Sequence, residues 1–430
     1  MNREKNYLQN ITPAGGRKLR IAFLHPELGI GGSERLVVDA AIELRKRGHE
    51  VTIFTSRHAT DYSFEETLNG TIDIRIRGRF IPSHLLNRFR APCSIARMTY
   101  AALAMARSEC SYDIVFCDLI PHVIPLIRFL TASRIVFYCH YPDMLLAPER
   151  SCLYSLYRFP IDRLEETGLR MADRILVNSL FTAGVLREAF PRLAGKRVDV
   201  LYPGIDLAGK CNDMKRPASL PETDDTGSGI ILSLNRYFPG KNLGMAIDSF
   251  GFLKGLLPEE TFRQLRLVFA GACDDRLPES RITLRQLQGH VAQLNLQGQV
   301  TFLQSVTDAE AKWLLTHCIC LVYTSLKEHF GIGIVEAMAA GRPVLAVNQG
   351  GPLETVVNGT TGFLCDPAPE AFAKAIARIV SEPAIAELMG HQGKQRAAEK
   401  FSLSAFGERL ENIMRDLSDE RNKRYHKSRI

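Results

Sequence analysis

Two glutamates separated by seven residues, Glu328 and Glu336, form the most informative pattern in the sequence, because Phe330 and Gly331 lie between them. An apolar strand-like run precedes this segment and a helix-forming run, residues 334–340, follows it. Glu328 is therefore expected in a strand-to-helix turn and Glu336 inside the helix. Backbone amides at the amino end of a helix bind phosphate, and glycine lets a ligand approach the backbone closely. The segment predicts amides for a phosphate and carboxylates for hydroxyl groups, which is what a nucleotide-sugar requires.

A basic pair, Arg236 and Lys241, lies in the loop that follows the first strand of the second half of the chain. Open α/β sheets bind their ligands at such strand-to-helix loops. Two cations there would hold a diphosphate and stabilise the charge that grows on it as a glycosidic bond breaks. Arginine supplies a forked donor and lysine a point charge. The alternative interpretation is a solvated loop with ordinary surface charges.

A glycine pair, Gly31 and Gly32, follows the first strand of the chain and precedes a helix that is predicted to end near Arg47. Ser33 is expected to cap that helix, which gives a second helix amino end with a permissive backbone. The pair is not the G-x-G-x-x-G fingerprint of dinucleotide-binding folds, and this disfavours an oxidoreductase. A tight turn without a ligand is the alternative interpretation.

Short apolar runs alternate with longer helical patterns along the whole sequence. Most of the runs are continuously apolar, which indicates strands of a parallel sheet that is covered by helices on both faces. Two sets of such strands predict an α/β chain with two doubly wound, Rossmann-like domains. The predicted strands are residues 20–24, 51–55, 72–76, 113–117, 134–139, 174–177, 199–201, 230–234, 266–270, 299–303, 318–323, 343–347 and 362–364.

A segment rich in Pro, Gly, Ser and Asp, residues 206–229, separates the two sets of strands and is predicted to be the linker. The two domains are accordingly predicted at residues 18–205 and 230–400. A final helix is expected at residues 401–418, followed by a loose basic tail at residues 419–430.

The composition excludes several classes of protein. A chain of 430 residues is too long for a single core, and 46% hydrophobic with 23% charged residues is typical of globular proteins. The net charge of +7 suits an anionic ligand or an anionic membrane surface, whereas the dispersed basic residues disfavour nucleic acid as a partner. The ten cysteines contain no C-x-x-C pair, which predicts reduced thiols in a reducing compartment. No signal-peptide core or transmembrane span is predicted.

The segment from Glu328 to Glu336 resembles the E-x7-E signature of retaining GT-B glycosyltransferases, a fold of two Rossmann-like domains that face each other across a cleft. Over roughly residues 18–415, the motifs and their order are similar to those of a narrower family, the ALG2 mannosyltransferases of N-glycan precursor assembly. The motifs are HPELGIGGSERLV at residues 25–37, FYCHYPDMLL at 137–146, LYRFPIDRLEE at 156–166, MADRILVNSLFT at 171–182, NRY and KNL within 235–243, and EHFGI at 328–332.

The resemblance implies a GDP-mannose-dependent transferase at the cytosolic face of the endoplasmic reticulum membrane, attached peripherally or monotopically. Such an enzyme adds an α1,3- and then an α1,6-mannose to a mannosyl-chitobiosyl-diphosphodolichol. Its expected partners are GDP-mannose, the dolichyl-diphosphate-linked oligosaccharide, the membrane surface and other mannosyltransferases of the pathway. The resemblance also implies that the final helix returns to the first, acceptor-side domain.

The resemblance assigns roles to individual residues as well. Glu328 is expected to hold mannose hydroxyls, Glu336 to lie at the nucleotide ribose and His140 at the transferred sugar. The predicted catalytic residues are Glu328, His140, Arg236 and Lys241. The residues expected to bind GDP-mannose are Gly31, Gly32, Arg236, Lys241, Glu328, Phe330, Gly331, Ile332 and Glu336. No D-x-D-like motif ends a strand, so no metal is expected in the site, because the two cations take the role that Mg²⁺ has elsewhere.

One segment, from His84 to Arg107 (residues 84–107), is the first candidate for a membrane contact. It mixes apolar residues with four arginines, and a basic amphipathic helix of this kind can lie in a membrane interface. The alternative interpretation is an ordinary domain helix with a buried face. The C-terminal hydrophobic spans of some fungal members are absent.

Two rival functions share the same fold. One is a GT-B transferase with a different nucleotide-sugar and a soluble acceptor, and the other is an inactive GT-B scaffold in a membrane glycosylation complex. A scaffold has no need for the whole set of Glu328, Glu336, Arg236 and Lys241, which favours an enzyme.

Overall fold

The computed structural model describes residues 17–59, 62–85, 89–146, 152–207, 214–220, 229–273 and 277–427. The chain divides into two compact units. The first contains the residues up to Gly204 together with those from Leu403 onward, and the second is Ile205–Ser402. These boundaries lie close to those predicted from the composition of the chain.

The first unit is a parallel seven-stranded sheet with the strand order β3-β2-β1-β4-β5-β6-β7. Its strands are β1 (Arg20–Leu28), β2 (Glu50–His58), β3 (Asp73–Ile76), β4 (Ile114–Asp118), β5 (Arg134–Cys139), β6 (Arg174–Val177) and β7 (Val198–Val200). Its first six helices are α1 (Gly32–Lys46), α2 (Arg90–Ala106), α3 (Ile124–Leu130), α4 (Asp143–Leu146), α5 (Cys152–Met171) and α6 (Leu180–Ala189). Two apolar clusters, one on each face of the sheet, form its core.

The second unit is a parallel six-stranded sheet with the order β10-β9-β8-β11-β12-β13. Its strands are β8 (Ile230–Leu234), β9 (Arg266–Gly271), β10 (Val300–Gln304), β11 (Cys320–Tyr323), β12 (Val344–Val347) and β13 (Gly362–Cys365). Its helices are α7 (Leu243–Phe252), α8 (Glu259–Gln264), α9 (Pro278–Gln293), α10 (Asp308–His317), α11 (Ile332–Ala339), α12 (Pro352–Thr355), α13 (Pro369–Ser381) and α14 (Pro383–Phe401). Each strand predicted from a continuous apolar run is present.

The strand order of each sheet determines where a ligand can bind. In the first unit β1 pairs with β4, and in the second unit β8 pairs with β11, so the strand order reverses at these pairs. Open parallel sheets leave a crevice at the carboxyl ends of the strands where the order reverses. The turns after β1, β4, β8 and β11 are therefore the positions where functional side chains are expected.

The last helix, α15 (Leu403–Lys427), belongs to the first unit and packs against α1. Phe406, Leu410 and Met414 join the apolar core of that unit. The tail predicted to be loose from residue 419 is instead helical as far as Lys427. Its residues are mostly strong helix formers with no proline, and Glu420 pairs with Arg174 at 3.3 Å.

Helix α2 packs one apolar stripe into the first unit. Met98, Ala101 and Met105 lie in the core. This stripe is therefore not available to a membrane, but Leu85, Phe89 and Tyr100 of the same segment are exposed. The membrane contact of residues 84–107 stays a prediction. Residues 86–88 of the segment lie outside the described residues. Within the described residues, no helix has the length and apolarity needed to cross a membrane.

Residues 214–220, which lie within the predicted linker, pack on the second unit. The backbone nitrogen of Lys215 donates to the carbonyl of Ala309 at 3.2 Å, and the guanidinium of Arg216 lies 5.8 Å from the centre of the Trp313 ring. This segment is therefore part of the second unit, while residues 208–213 and 221–228 lie outside the described residues.

Gly407 sets the close approach of α15 to α1, and this contact gives a first testable prediction. A Cβ at Gly407 would lie 2.7 Å from Cβ of Glu43, whereas a Cβ at Gly184 in α6 meets nothing within 4 Å. Replacing glycine by alanine in a helix stabilises it by up to about 1 kcal/mol, so Gly184→Ala should raise the melting temperature. Gly407→Ala should lower it, because overpacking costs about 1–3 kcal/mol.

Thermal unfolding followed by circular dichroism measures both changes, and Gly184→Ala is the matched control. Equal shifts in the two variants would contradict the close contact between α15 and α1.

Candidate active site

The centre of the site in the second unit is an ion pair between Lys241 and Glu328. The Lys241 ammonium lies 2.6 Å from Oε2 of Glu328, and the hydroxyl of Tyr323 donates to the same oxygen at 2.5 Å. The ammonium also lies 5.5 Å from the centre of the Tyr323 ring. The structure thus brings together two residues that the sequence separates by 87 positions, and both lie in strand-end turns as predicted, although their ion pair was not.

The pair is largely buried, and each member neutralises the other. Burial opposes the ionisation of Glu328, but the charge of Lys241 and the hydrogen bonds from Lys241 and Tyr323 outweigh it and lower the pKa of Glu328. Burial and the neighbouring Glu328 carboxylate raise the pKa of Tyr323, which therefore stays a neutral donor. The arrangement presents a fixed carboxylate beside a fixed cation.

The loop that carries Lys241 is anchored at several points. Thr324 Oγ1 donates to the carbonyl of Lys241 at 2.9 Å, which ties this loop to the turn after β11. The fully buried Tyr237 donates through its hydroxyl to the carbonyls of Phe269 at 3.1 Å and Leu303 at 3.0 Å. Gly271 permits the close approach of β9, because a Cβ there would lie 2.1 Å from the carbonyl oxygen of Asn235.

Arg236, the other predicted cation, is exposed. It makes no hydrogen bond or salt bridge to any residue in the described part of the chain. It lies near enough to Tyr323 for its charge to oppose the rise in the pKa of that phenol. Arg236 is therefore a cation available to an anionic ligand next to the Lys241–Glu328 pair.

Helix α11 begins directly beside Glu328. Gly331 is its N-cap residue, with a left-handed φ of +86°, and a Cβ there would lie 2.8 Å from Cδ1 of Ile334. Ile332 is 43% exposed at the first position of the helix, while Phe330 is buried and contacts the Phe401 ring. The predicted phosphate-binding amides thus lie at a helix amino end, and glycine is required there by the backbone.

Glu336 lies one turn into α11 and remains in contact with solvent. Crowding by the surrounding protein, with a smaller contribution from Asp308, raises the pKa of Glu336 to about 7. Glu336 differs in this respect from Glu328, whose pKa is lowered. Glu336 can therefore donate or accept a hydrogen bond near neutral pH, which suits a ribose hydroxyl.

The turn at Gly350 and Gly351 contacts the Glu328 loop. Neither glycine is among the nine predicted ligand-binding positions. The nitrogen of Gly351 donates to the carbonyl of Glu328 at 2.8 Å. A Cβ at Gly350 would lie 2.6 Å from that carbonyl oxygen, and one at Gly351 would lie 2.5 Å from Cα of Phe330. The glycine-rich composition of the turn was visible in the sequence, but its contact with residues 328–330 was not.

The first unit has a charged cluster at the corresponding place, centred on Asp118 at the end of β4. Its Oδ2 lies 2.9 Å from Nδ1 of His25 on β1, and its Oδ1 lies 2.9 Å from Nε2 of His140 after β5. Nε2 of His25 lies 3.9 Å from the carboxylate of Glu34. The predicted His140 is therefore held by Asp118, and its backbone carbonyl accepts a hydrogen bond from Asn178 at 3.2 Å.

Asp118 and His25 are both fully buried and charged. Burial opposes the protonation of His25, but Asp118 and Glu34 raise the pKa of His25 to about 9. Burial likewise opposes the ionisation of Asp118, but His140 and His25 lower its pKa to about 2. Sequence reasoning missed both residues, although a buried strand that ends in a carboxylate was a signal available for Asp118.

The glycine turn of the first unit lies next to this cluster. Helix α1 begins at Gly32 with Gly31 as N-cap residue, so Ser33 is inside the first turn and the prediction that it caps the helix is wrong. Ser33 donates to Glu34 at 2.9 Å instead. A Cβ at Gly32 meets nothing within 4 Å, so the backbone is open on that side. Gly31, Gly32 and His140 belong to the first unit, and the other predicted site residues to the second.

A metal site can be assessed only within the described residues. There, no group of three or more His, Cys, Asp and Glu side chains is arranged to hold a metal ion. The cluster around Asp118 is an ion-pair network in which each carboxylate oxygen faces a histidine.

Two family models match the chain, one in each unit. The model described as Glycosyltransferase Family 4 matches residues 30–208, and the model described as Glycosyl transferases group 1 matches residues 219–396. The α-1,3/1,6-mannosyltransferase ALG2 of Dictyostelium discoideum is 40% identical over 416 residues, which are 93% of this chain and 99% of that protein. The Homo sapiens protein of the same name is 40% identical over 398 residues, 91% of this chain and 95% of that protein.

A solved structure agrees with the fold. Sucrose-phosphate synthase from Thermosynechococcus elongatus superposes with a TM-score of 0.71 at 22% identity, covering 93% of this chain and 99% of that one. At this identity the likeness shows the fold alone, and that fold is GT-B. The predicted fold class is confirmed.

The raised pKa of His25 predicts a specific pH dependence of stability. The pKa of His25 is about 9 in the folded chain and 6.5 in the unfolded chain. Protonation of His25 therefore stabilises the fold fully below pH 6.5, and this contribution is lost as the pH rises through 9. The contribution is on the order of 3 kcal/mol. We expect His25→Gln to lower the melting temperature most at the acidic end of this window, with the difference from wild type narrowing towards the alkaline end.

Thermal unfolding across that pH window measures the effect. His391→Gln, at an exposed position in α14, is the control and should leave the profile unchanged. Parallel wild-type and His25→Gln profiles would contradict a charged His25.

Proposed function

This chain belongs to the ALG2 family of α-1,3/1,6-mannosyltransferases, and from that premise we propose that it moves mannose from GDP-mannose to a mannosyl-chitobiosyl-diphosphodolichol acceptor. As a member of the family it is a glycosyltransferase of N-glycan precursor synthesis. The donor, the lipid-linked acceptor, and a location at the cytosolic face of the endoplasmic reticulum membrane are the parts that we propose.

The observation that supports this function best is the Lys241–Glu328 pair beside the amino end of α11. It places a cation, a carboxylate and the amino end of a helix within one strand-end site, with the exposed Arg236 in the same loop as Lys241. A sugar nucleoside diphosphate carries groups that match this site. Its diphosphate binds cations and backbone amides, and the hydroxyls of its hexose donate hydrogen bonds to a carboxylate.

The proposed roles follow from this geometry. Lys241 and Arg236 hold the diphosphate, and Glu328 orients the mannose through its hydroxyls. The Phe330–Ile332 amides add partial positive charge where negative charge grows on the leaving GDP. Because the ion pair is already fixed by Tyr323, little reorganisation is needed when the donor binds, and fixed charge of this kind favours the transition state.

The reaction itself is a same-face displacement in this proposal. The bond between the mannose anomeric carbon and the phosphate oxygen breaks, and its electron pair leaves with GDP. The acceptor hydroxyl forms the new bond from that same side, and the leaving phosphate oxygen takes its proton. An oxocarbenium-like transition state connects the two, and the α configuration is kept. For His140, which lies 2.9 Å from Asp118, we propose a contact with the transferred sugar.

We also propose that the site works without a metal ion. Lys241 and Arg236 neutralise the leaving diphosphate, which is the role that Mg²⁺ has in many other transferases. Transfer is therefore expected to continue in the presence of EDTA.

The decisive assay is mannose transfer from GDP-mannose to a synthetic mannosyl-chitobiosyl-diphospho-lipid, with and without EDTA. We expect wild type to add two mannoses in both conditions. Glu328→Ala should reduce transfer by about 100-fold or more, because it removes the sugar contact and leaves Lys241 unpaired.

Glu387→Ala, at an exposed position in α14 of the same unit, is the matched control and should keep full activity. Loss of transfer with EDTA would overturn the metal-free site. A folded wild-type protein that transfers from UDP-glucose and not from GDP-mannose would overturn the donor.

The support of the Glu328 loop by Gly351 gives another expected result. Gly351→Ala places a Cβ 2.5 Å from Cα of Phe330, so the 328–330 backbone must shift. A displacement of about 1 Å near the reacting groups costs about 100-fold in rate. Gly289→Ala in α9 meets nothing within 4 Å and should be neutral.

Steady-state kinetics and GDP binding by calorimetry compare the two variants. Equal activity in Gly351→Ala and Gly289→Ala would show that the turn does not position the site.

A further inference from the structure

One face of helix α5 exposes apolar side chains to solvent. Leu156 is 72% exposed and Phe159 is 58% exposed. Residues three and four apart lie on one face of a helix, and Pro160 and Leu164 continue the same exposed face. The opposite face, with Arg158, Ile161 and Glu165, is buried against the unit.

Helix α4 adds two further exposed leucines and is fixed to α5. Leu145 and Leu146 are 44% and 64% exposed. Glu165 of α5 accepts hydrogen bonds from the backbone nitrogens of Asp143 at 2.9 Å and Met144 at 3.2 Å. Arg158 donates to the Asp143 carboxylate at 2.7 Å. The apolar side chains are therefore displayed on a braced pair of helices rather than on a loose loop.

The same face of α5 becomes basic towards its carboxyl end. Arg163 and Arg170 are exposed, and Arg192 and Lys196 lie beside them. Glu166 is the acid in this group, and it is occupied by Arg163 at 3.3 Å and Arg192 at 3.6 Å. Arg170 makes no salt bridge within the described residues. Among the residues of α5 whose exposure is described, the exposed ones include no Asp or Glu.

We propose that this α4–α5 surface, defined by Leu145, Leu146, Leu156, Phe159 and Arg170, docks on an anionic lipid bilayer. An apolar stripe that continues into a basic one is the pattern of an interfacial helix, because the apolar groups enter the lipid boundary and the cations meet anionic headgroups. This proposal rests on the proposed function, whose acceptor is lipid-linked.

The position of the surface in the chain fits that role. Two residues separate His140 from α4, and the buried Arg158 and Glu165 link the docking helix to the start of α4. Docking of α5 would therefore fix the His140 loop close to the headgroup layer. The surface is a second candidate for the membrane contact, besides the exposed apolar residues of the segment 84–107.

The test is flotation of the full-length protein with vesicles of phosphatidylcholine, alone or mixed with phosphatidylserine. Wild type should bind the mixed vesicles more tightly. The double variant Leu156→Ser/Phe159→Ser should weaken binding to both vesicle types by about tenfold or more. Arg170→Gln should weaken binding to the mixed vesicles by about fivefold, with the effect lost at high salt.

Matched controls come from exposed residues of the second unit. Leu388→Ser/Phe252→Ser repeats the apolar change, and Arg281→Gln repeats the loss of charge. Both should bind as wild type does. Equal losses in test and control variants, or no binding of wild type to either vesicle, would overturn the proposal. A wild-type oligomer that the double variant dissociates, without any change in vesicle binding, would assign the surface to a second copy of the chain instead.

A parallel transfer assay with a short-chain acceptor in detergent separates this proposal from the proposed function. The docking variants should keep transfer to that acceptor, because they act on membrane attachment. Wild type that binds mixed vesicles but transfers no mannose would refute the function and leave the docking surface standing.

Discussion

The buried salt bridge between Lys241 and Glu328 is the interaction on which the site of the second unit depends. Two charges removed from water are tolerated only when they meet each other at close range with further hydrogen bonds, and Tyr323 supplies one of these. The two partners come from turns that are far apart in sequence, so every element that fixes either turn also fixes the pair. Tyr237 and Gly271 hold one turn, while Gly351 holds the other. The parallel sheet brings the two turns together because β8 and β11 are neighbours.

The first unit also contains a buried carboxylate, but its partners are histidines. Asp118 is buried between two histidines rather than beside a lysine. A histidine can give up its proton, so this cluster is stable only while His25 stays protonated, and Glu34 helps to keep it so. The glycine turn is thereby connected to His140 through charges, since Glu34 lies in the first turn of α1. A change in the charge of Glu34 or His25 therefore alters the electrostatic environment of His140 through Asp118.

Continuous apolar runs predicted most of the strands, because a strand buried on both faces must be apolar at each position. The same pattern placed Lys241 and Glu328 in strand-end turns of one parallel sheet, but it did not predict their ion pair. It could not predict the cluster at Asp118, because the partner of a buried carboxylate is set by strand order and not by sequence spacing. The pattern of residues 84–107 fits two interpretations for a related reason: a helix buried on one face and a helix inserted in a membrane interface have the same periodicity.

Two of the motifs that carry the resemblance to this family, residues 137–146 and 156–166, include α4 and much of α5 of the first unit, whereas the Lys241–Glu328 pair belongs to the second. Their polar members, Arg158 and Glu165, are buried and join the two helices, while Leu156 and Phe159 on the same helix remain exposed. A contiguous exposed apolar surface marks an interaction site, and buried charges are tolerated when they are paired. The combination is favourable if the outer face has a partner of its own and the inner charges keep the helix in register with the His140 loop. If that partner is the lipid surface that we propose, α4 and α5 serve the approach of the acceptor, while the Lys241–Glu328 site serves the donor.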